Sequence, residues 1–474
     1  MISLKLRIHL LIFACYTTNY YFLLKNNRPY WDDWILINSN KKNLFLTSSQ
    51  AGSVFDFYGY FHSTLVPFGP GVYHILTFIL FYLSGLMFKE VLNQRFQNKS
   101  IVILSTILYL ILPFNYARIC MIDAPYSLCN FLFLFAWANM YKFRRTSLMA
   151  FFLSFIMNSL LLLYIIPLSE MSKHYKVFKK GSDSARKIVV PLIMPIIFII
   201  FDFFIYRPSG SYSRYNENFG LSEIPSILIK AISGSIFLLN EIKIEILIVV
   251  TLLMYTMFKL AGFSQLEWQY LKSNEVLQIK MAIKLILFGA FPYLLLQKIP
   301  SFDSWESRHQ ILLPLGISIM ISSFLAKIRS NPLRLSTIIL TMGLCTQMNI
   351  QYGEYLKQEG LKDLKIIQTI DKYRTEICNI YVVDDRYRNL LAIKRNYRFY
   401  EINGMLAKVL GNEDNFGVTP ENYSSFQNGG YDNKFITEYL AANFQREKHG
   451  TACFIFIEGS YNTNISSVFK KLEY

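Results

Sequence analysis

Long apolar runs, separated by short polar segments, occupy the first three quarters of the chain. A helix that crosses a bilayer needs about 20 mainly apolar residues, and nine runs approach that length. The predicted spans are residues 8–24, 70–91, 101–117, 125–141, 188–206, 244–260, 282–298, 310–326 and 334–350. This pattern predicts an all-α polytopic membrane domain over residues 1–350.

Two further apolar segments do not fit a simple crossing. The run at 147–169 is long enough for one span, but basic clusters flank both of its sides. A hairpin of two shorter helices that turns near Asn158 and Ser159 removes this conflict, so one span and a hairpin both remain open. The run at 226–240 carries Lys230, and we expect an amphipathic helix on the outer surface.

The pattern changes after residue 350. Helical periodicity continues over 354–377, and short runs typical of β-strands follow at 380–383 and 453–457. The sequence therefore predicts a small α/β domain over residues 351–474, which gives the chain two domains.

Composition and charge agree with a membrane protein. Charged residues make up 17% of the chain, against roughly 25% in soluble domains. The net charge is +16. The segment from 351 to 474 contains 16 basic and 16 acidic residues, so the whole excess of basic residues lies before residue 351. Basic residues lie in short segments between apolar runs, as in cytoplasmic loops, rather than along a nucleic-acid groove. We expect a multi-pass protein of the plasma or inner membrane, with an extracytoplasmic C-terminal domain and no nucleic-acid partner.

Cysteine spacing and one acidic pair suggest no metal site. The six cysteines show no CxxC spacing, so we interpret them as small core side chains rather than a disulfide framework. Asp384-Asp385-Arg386 follows a predicted strand, and we interpret it as a turn rather than a metal-binding pair.

The first predicted outer loop contains Trp31-Asp32-Asp33-Trp34. Two interpretations are open: acids in solvent within an interfacial aromatic belt, or functional carboxylates. Adjacent residues do not share a helix face and point to opposite sides of a strand. The two acids are therefore not expected to serve the same atom.

Other candidate residues lie in later loops. Asp123 precedes Pro125 and is a plausible helix N-cap. Arg308 lies on the predicted outer side, where the positive-inside rule does not favour a cation. A bound anion would explain its position, and so would an ion pair with Glu306 or Asp303. His62 and His309 show no metal-ligand spacing.

Four pieces occur in the order found in the GT-C glycosyltransferases that use lipid-phosphate sugars. Over roughly residues 5–330 the chain resembles glycosyltransferase family 39, the protein-mannosyltransferase-like branch. The similar pieces are Asp32-Asp33, Arg118 with Asp123-Ala124-Pro125, the hairpin at Met157-Asn158-Ser159-Leu160 with Pro167, and Arg308-His309-Gln310-Ile311-Leu312-Leu313-Pro314. Asp33 replaces the family's usual Glu, His309 replaces its Tyr, and the hairpin lacks its Lys.

The resemblance implies transfer of a sugar from a polyprenyl-phosphate donor to a glycan, lipid or protein acceptor on the outer face of the membrane. Asp32 would be the general base with Asp33 as its support, or the reverse. Asp123 would orient the substrate or a basic partner. Arg308, and secondly Arg118, would bind the leaving phosphate, and His309 and His62 would also line the substrate site. No cofactor is implied, and dependence on a divalent metal stays open.

Two other functions remain as alternatives. A lipid-linked polysaccharide polymerase or ligase would depend on arginines of a large outer loop, here Arg207 and Arg214. A lipid-glycan transporter would place polar groups near the bilayer midplane, where the nearest candidate is Asp202, in the outer half of its span.

Overall fold

The structure is a computed structural model that describes residues 3–178, 182–213, 242–263, 272–298, 305–376, 378, 380–391, 395–411, 416–427, 452–460 and 464–472. Within these residues the chain is mostly helical, and a small sheet forms near the C-terminus. The predicted surface helix at 226–240 lies outside the described residues.

Fifteen described α-helices precede the sheet. They are α1 (Leu4–Lys25), α2 (Asp33–Asn38), α3 (Lys41–Gln50), α4 (Phe57–Leu65), α5 (Pro70–Asn93), α6 (Lys99–Ile111), α7 (Ala124–Asn139), α8 (Arg144–Ser154), α9 (Ser159–Leu163), α10 (Ile165–Phe178), α11 (Ser182–Ile200), α12 (Ile244–Leu260), α13 (Lys272–Leu295), α14 (Leu313–Ala326) and α15 (Asn331–Lys372). The loops that carry Arg118, Asp123 and Arg308 contain short 3-10 helices at Tyr116–Ile119, Met121–Asp123 and Trp305–Gln310.

Each of the nine predicted spans overlaps a helix, but fewer helices reach membrane length than predicted. In the described part of the chain, three are long and apolar enough to cross a bilayer: Pro70–Asn93, Met121–Asn139 and Val276–Leu295. Shorter apolar helices cover Lys99–Ile111, Val189–Ile205 and Leu313–Ala326. The apolar run at 101–117 is longer than the helix it contains, because a proline lies within the run. Helix α6 ends at Ile111, just before Leu112-Pro113.

The segment at 147–169 forms a hairpin, which is one of the two arrangements that the sequence left open, rather than one span. Helix α8 ends at Ser154, and α9 begins at Ser159 after a turn. The ring of Tyr164 lies 4.8 Å from that of Phe151, so the chain has folded back on itself. Further along, Glu170 accepts hydrogen bonds from Arg95 Nε at 2.8 Å and Trp137 Nε1 at 2.8 Å. The turn therefore lies at one end of the bundle, and Glu170 lies at the end that carries basic clusters.

Buried amides tie the helices of the bundle together. Asn349 Nδ2 of α15 donates to Asn19 Oδ1 of α1 at 2.7 Å and to the carbonyl oxygen of Ile111, at the end of α6, at 2.7 Å. Such bonds matter most where few other polar groups are available. They fix α15 against the bundle and thus orient the C-terminal residues that this helix carries.

The C-terminal residues form helices and a small sheet, in agreement with the α and β elements predicted for this part of the chain. Helix α15 runs 42 residues and continues across the predicted boundary at 350, so one rigid element joins the two predicted domains. After it come β1 (Ile380–Asp385), α16 (Phe399–Leu410), β2 (Phe416–Val418), α17 (Pro420–Gln427), β3 (Ala452–Ser460) and β4 (Asn464–Leu472). The strand order is β2-β1-β3-β4, in which only the β3 and β4 pair is antiparallel.

The prediction that no disulfide forms was wrong. Cys378 and Cys453 are bonded, with Cα atoms 5.9 Å apart. The two residues are 75 positions apart in sequence and meet because β1 pairs with β3, which spacing alone does not show. The other four cysteines, Cys15, Cys120, Cys129 and Cys345, are buried and free, as the prediction for core side chains requires.

Candidate active site

Three loops that are far apart in sequence meet at the end of the bundle that faces the C-terminal domain. Asp33, the first residue of α2, is completely buried. Its carboxylate accepts the backbone N–H of Tyr30 at 3.0 Å and of Ile122 at 3.2 Å. In turn, the backbone N–H of Ala117 donates to Ser307 Oγ at 2.8 Å. These bonds join the loops that carry Asp33, Asp123 and Arg308.

Asp33 and Asp32 have different surroundings, as expected for neighbouring residues. Burial raises the pKa of Asp33 to about 7, although its bonds to backbone N–H groups oppose this shift. Its two oxygens are engaged with backbone, so it connects the first loop to the second. The interpretation of both acids as solvent-exposed is wrong for Asp33, since Trp31, Asp33 and Trp34 are all buried.

Asp32 is only partly buried and points toward charged groups of both domains. Burial raises its pKa, while a hydrogen bond from Tyr400 and the charges of Arg308, Arg398 and Arg395 lower it. One carboxylate oxygen, Oδ1, is buried with no hydrogen-bond partner among the described residues. Asp32 therefore retains a hydrogen-bond acceptor that no described residue uses.

The backbone next to Asp32 is strained. Trp31 has a φ of 52°, a region that costs a residue with a bulky side chain of the order of 1–3 kcal/mol. Strain of this kind persists where the surrounding structure enforces it, and it concentrates at functional sites. The strained residue directly precedes Asp32.

Asp123 occupies the N-cap position of α7 but does not cap it. Its side chain makes no capping hydrogen bond, and in the described part of the chain neither buried oxygen has a hydrogen-bond partner. The nearby charges are Arg308, which is attractive, and Asp33 and Asp32, which are repulsive. Capping thus does not account for Asp123, and its free oxygens lie beside the other acids.

Arg308 and His309 lie at the same place, on the 3-10 helix Trp305–Gln310. Arg308 is partly buried and close enough to Asp32 and Asp123 to affect both electrostatically. Its Nε donates to His309 Nε2 at 3.4 Å. The ring of His309 lies 5.6 Å from that of Tyr293, whose hydroxyl donates to Ser159 Oγ at 3.1 Å. The hairpin turn therefore supports this loop. Pairing of Arg308 with Asp303 or Glu306 falls on side chains outside the described ones.

Arg118 does not join the acids. Its guanidinium stacks on the rings of Tyr20 at 4.4 Å and Phe81 at 3.9 Å, inside the bundle. Nε donates to the carbonyl oxygen of Asn115 at 2.6 Å, while Nη1 is buried without a partner among the described residues. The guanidinium of Arg118 thus lies among aromatic rings of the bundle.

His62 lies in a layer of rings behind the acids. Its Nδ1 is 3.0 Å from the hydroxyl of Tyr73, and burial lowers its pKa to about 4. Tyr73 interacts electrostatically with Asp33, so His62 reaches the acid group only through a tyrosine. A neutral His62 supports the loop rather than binding an anion.

The C-terminal domain covers the tryptophans on either side of the acids. Trp34 Nε1 donates to Asp363 Oδ2 of α15 at 3.3 Å, and Asn38 Nδ2 of α2 donates to the carbonyl oxygen of Gly404 in α16 at 2.7 Å. A Cβ on Gly404 would lie 2.5 Å from Cβ of Trp34, so only glycine allows this approach of α16 to α2.

A buried network of charges holds this arrangement. Lys362 Nζ lies 2.6 Å from Glu359 Oε1 and 2.6 Å from Asp385 Oδ2. Arg395 bridges Glu359 at 3.3 Å and Glu401 at 2.6 Å. The network links α15, β1 and α16, and therefore fixes α16 over the acid-bearing loop. The prediction that Asp384-Asp385-Arg386 forms a turn was wrong for the two acids, which are the last residues of β1, while Arg386 begins a 3-10 helix. Asp385 pairs with Lys362 in this network.

Replacing Lys362 with Met is expected to destabilise the protein by about 3–5 kcal/mol, because Glu359 and Asp385 would stay buried without their cation. Chemical unfolding of the purified protein, followed by tryptophan fluorescence, measures this loss. Lys357→Met on the same helix is the control, since its pair with Glu354 is exposed, and we expect a change within about 0.5 kcal/mol. Equal effects of the two substitutions would contradict the assigned role.

The contribution of the C-terminal domain was not predicted from the sequence. Arg395, Arg398 and Tyr400 lie near Asp32, although more than half the chain separates them from it. The only sequence signal is the alternation of basic and aromatic residues from Arg395 to Tyr400. Among the described residues, no group of three or more His, Cys, Asp or Glu could hold a metal ion.

The residues behind the alternative functions lie elsewhere. Asp202 accepts a hydrogen bond from Asn158 Nδ2 at 3.1 Å, at the hairpin turn. Arg207 is exposed and donates to the carbonyl oxygen of Phe203 at 2.7 Å. Arg214 lies outside the described residues.

Comparisons of this chain with models of protein families, with curated proteins and with solved structures found no match.

Proposed function

We propose that the protein is an integral membrane glycosyltransferase of the GT-C type, which moves a sugar from a polyprenyl-phosphate donor to an acceptor hydroxyl on the outer face of the membrane. One observation carries the proposal: Asp32, Asp33 and Asp123 from two loops and Arg308 from a third form a single electrostatic group. A base beside a cation is what transfer from a phosphate requires.

The proposed reaction uses the two charges in separate roles. The acceptor oxygen forms a bond with the anomeric carbon, and its proton passes to Asp32. The bond between the anomeric carbon and the phosphate oxygen breaks, and polyprenyl phosphate leaves with one more negative charge than the phosphate group of the donor had. Arg308 stabilises that charge in a site sheltered from water. Asp123, whose oxygens are unpartnered among the described residues, orients the sugar or the acceptor.

The surface of the bundle supports residence in a membrane. Large apolar side chains on α11 and α12 are exposed, and a contiguous apolar surface calls for a lipid or protein contact. The exposed residues include Val190, Leu192, Ile193, Ile196, Ile197 and Ile200 on α11, and Ile248, Val249, Leu252 and Leu253 on α12. A donor with its polyprenyl chain in the bilayer would meet the acids at the interface.

The disulfide supports an outer location for the C-terminal domain. Disulfides persist in oxidising compartments and are rare in the cytosol. The bond joins Cys378, which follows α15, to Cys453 in β3. Since α16 of the same domain packs against α2, this argument supports the non-cytosolic side for the acids as well.

A transfer assay with the purified full-length protein tests this function. Polyprenyl-phosphate hexoses and a polyprenyl-diphosphate oligosaccharide are supplied separately, each with a panel of short glycan and peptide acceptors. We expect sugar to leave the monophosphate donors with release of polyprenyl phosphate, as seen by mass spectrometry. Turnover of the diphosphate donor alone would instead indicate a polymerase or ligase.

A further inference from the structure

Trp31, the residue before the proposed base, has a buried polar atom that the fold does not use. Its side chain is 2% exposed, and the indole Nε1 is buried with no hydrogen-bond partner among the described residues. An indole nitrogen only donates hydrogen bonds, and a buried donor without an acceptor is destabilising. Such atoms are rare in native proteins, and a functional role is one of the few explanations for them.

Trp34, three residues later, shows that this part of the fold can satisfy an indole. Its side chain is also 2% exposed, and its Nε1 donates to Asp363 Oδ2 at 3.3 Å. Lys408 Nζ lies 5.4 Å from the centre of its ring. The guanidinium of Arg395 lies 5.6 Å from the ring of Trp31 in a similar way. The two tryptophans are thus alike in burial and in their cations, and differ in the partner of the indole N–H.

Contacts from both domains hold Trp31 in its strained conformation, with a φ of 52°. Two backbone hydrogen bonds close the turn: the N–H of Asp33 donates to the carbonyl oxygen of Tyr30 at 3.0 Å, and that of Trp34 donates to the carbonyl oxygen of Trp31 at 3.3 Å. On the side of the ring, Arg395 is itself fixed in the buried network of charges. The indole is therefore preorganised, which reduces the entropy that a binding group loses when a ligand arrives.

We propose that Trp31 binds the acceptor, and that its indole N–H donates a hydrogen bond to the oxygen of the hydroxyl whose proton passes to Asp32. A hydroxyl has one proton and two lone pairs, so it can accept from Trp31, donate to Asp32 and still attack with its second lone pair. Asp32 Oδ1 is a buried acceptor that no described residue uses. A phosphate oxygen could also accept from Trp31, but the neighbouring carboxylate repels an anion. The inference rests on the proposed function and assigns the group that holds its acceptor.

Matched substitutions by phenylalanine test whether the N–H of Trp31 is kept for a ligand. Trp31→Phe and Trp34→Phe each remove a buried indole and keep an aromatic ring beside its cation, but only Trp34→Phe breaks a hydrogen bond within the protein. Thermal unfolding of the purified full-length proteins should place the Tm of Trp34→Phe about 2 °C below that of Trp31→Phe. A Tm of Trp31→Phe equal to or below that of Trp34→Phe would overturn the inference.

Binding of hydroxyl compounds without the donor tests the ligand. Methyl hexosides, short glycans and serine-containing peptides are added singly, and the Tm is followed against their concentration. At least one compound should stabilise the wild-type protein, and its apparent Kd should be about 3- to 10-fold weaker in Trp31→Phe but within about twofold in Trp34→Phe. Stabilisation of the wild-type protein by none of these compounds, or equal binding by Trp31→Phe, would overturn the inference.

Kinetics then separate this inference from the proposed function. Trp31→Phe should raise KM for the acceptor by about 3- to 10-fold and leave KM for the donor within about twofold. A raised KM for the donor alone would place the N–H on the donor and overturn the assignment. A wild-type protein that binds a hydroxyl compound through Trp31 but transfers no sugar would uphold the binding site and refute the proposed function.

Discussion

Asp32→Asn should reduce sugar transfer by at least about 100-fold while the protein still inserts and folds. An amide cannot accept the proton of the acceptor hydroxyl, and a positioned general base contributes typically about 10² to 10⁴ in rate. The loss should fall on kcat, because the base acts as the hydroxyl attacks. Steady-state transfer measured with a short acceptor and a polyprenyl-phosphate sugar gives both constants.

Asp56→Asn provides a matched control in the same segment between α1 and α5. Asp56 has a φ of 49°, which Asn tolerates well, and it is not part of the acid group. This variant should retain activity within about twofold. Full activity of Asp32→Asn, with normal expression, would remove Asp32 as the base and leave Asp123 to be tested in its place.

Arg308→Gln should also reduce kcat, by about 100-fold or more, because it removes the cation that we propose stabilises the departing phosphate. Loss of one preorganised donor to a developing negative charge costs about 10² to 10³ in kcat. Arg308→Lys keeps the charge but loses the planar fork, so its activity should fall between those of wild type and Arg308→Gln. Transfer assays at saturating donor measure the series.

Arg207→Gln separates this account from the polymerase alternative. Arg207 is exposed and outside the acid group, so a transferase that uses Arg308 should tolerate the change. An enzyme that depends on arginines of its outer loop should not. Loss of activity in Arg207→Gln together with a normal Arg308→Gln would favour the polymerase or ligase and contradict the proposed role of Arg308.

The position of the helices follows largely from the apolar pattern. The nine apolar runs overlap helices, and the conflict of charges around 147–169 favoured the hairpin that the structure contains over a single span. Helix lengths were less predictable, because they depend on where proline and packing end a run. Helix α15 shows the opposite problem. The chain becomes more polar near residue 350, yet the same helix continues past that point.

The candidate site could also be predicted only in part. Asp32, Asp33, Asp123, Arg308 and His309 come together as the order of their loops indicated, but Arg118 and His62 do not join them. Local sequence placed Arg118 next to Asp123, yet the aromatic rings of Tyr20 and Phe81 draw its guanidinium into the bundle. Tyr400 was missed because its approach to Asp32 depends on the tertiary contact between α16 and α2, and on a glycine that allows it.

The disulfide between Cys378 and Cys453 was missed for a related reason. Neither cysteine has a neighbour in sequence that marks a pair, and a parallel pairing of β1 with β3 brings them together. Sequence spacing is informative when the partners lie in one local motif. Spacing is not informative when the two cysteines are brought together by a sheet that is built from distant segments.

Mass spectrometry of the lipids that co-purify with the protein tests the central claim most directly. Wild-type protein should carry a polyprenyl-phosphate sugar above the level of a control membrane protein, and Arg308→Gln should carry much less, because the phosphate loses its cation. Absence of such a lipid from wild type, or equal amounts in the two proteins, would contradict a site built around Arg308 for a lipid-phosphate donor.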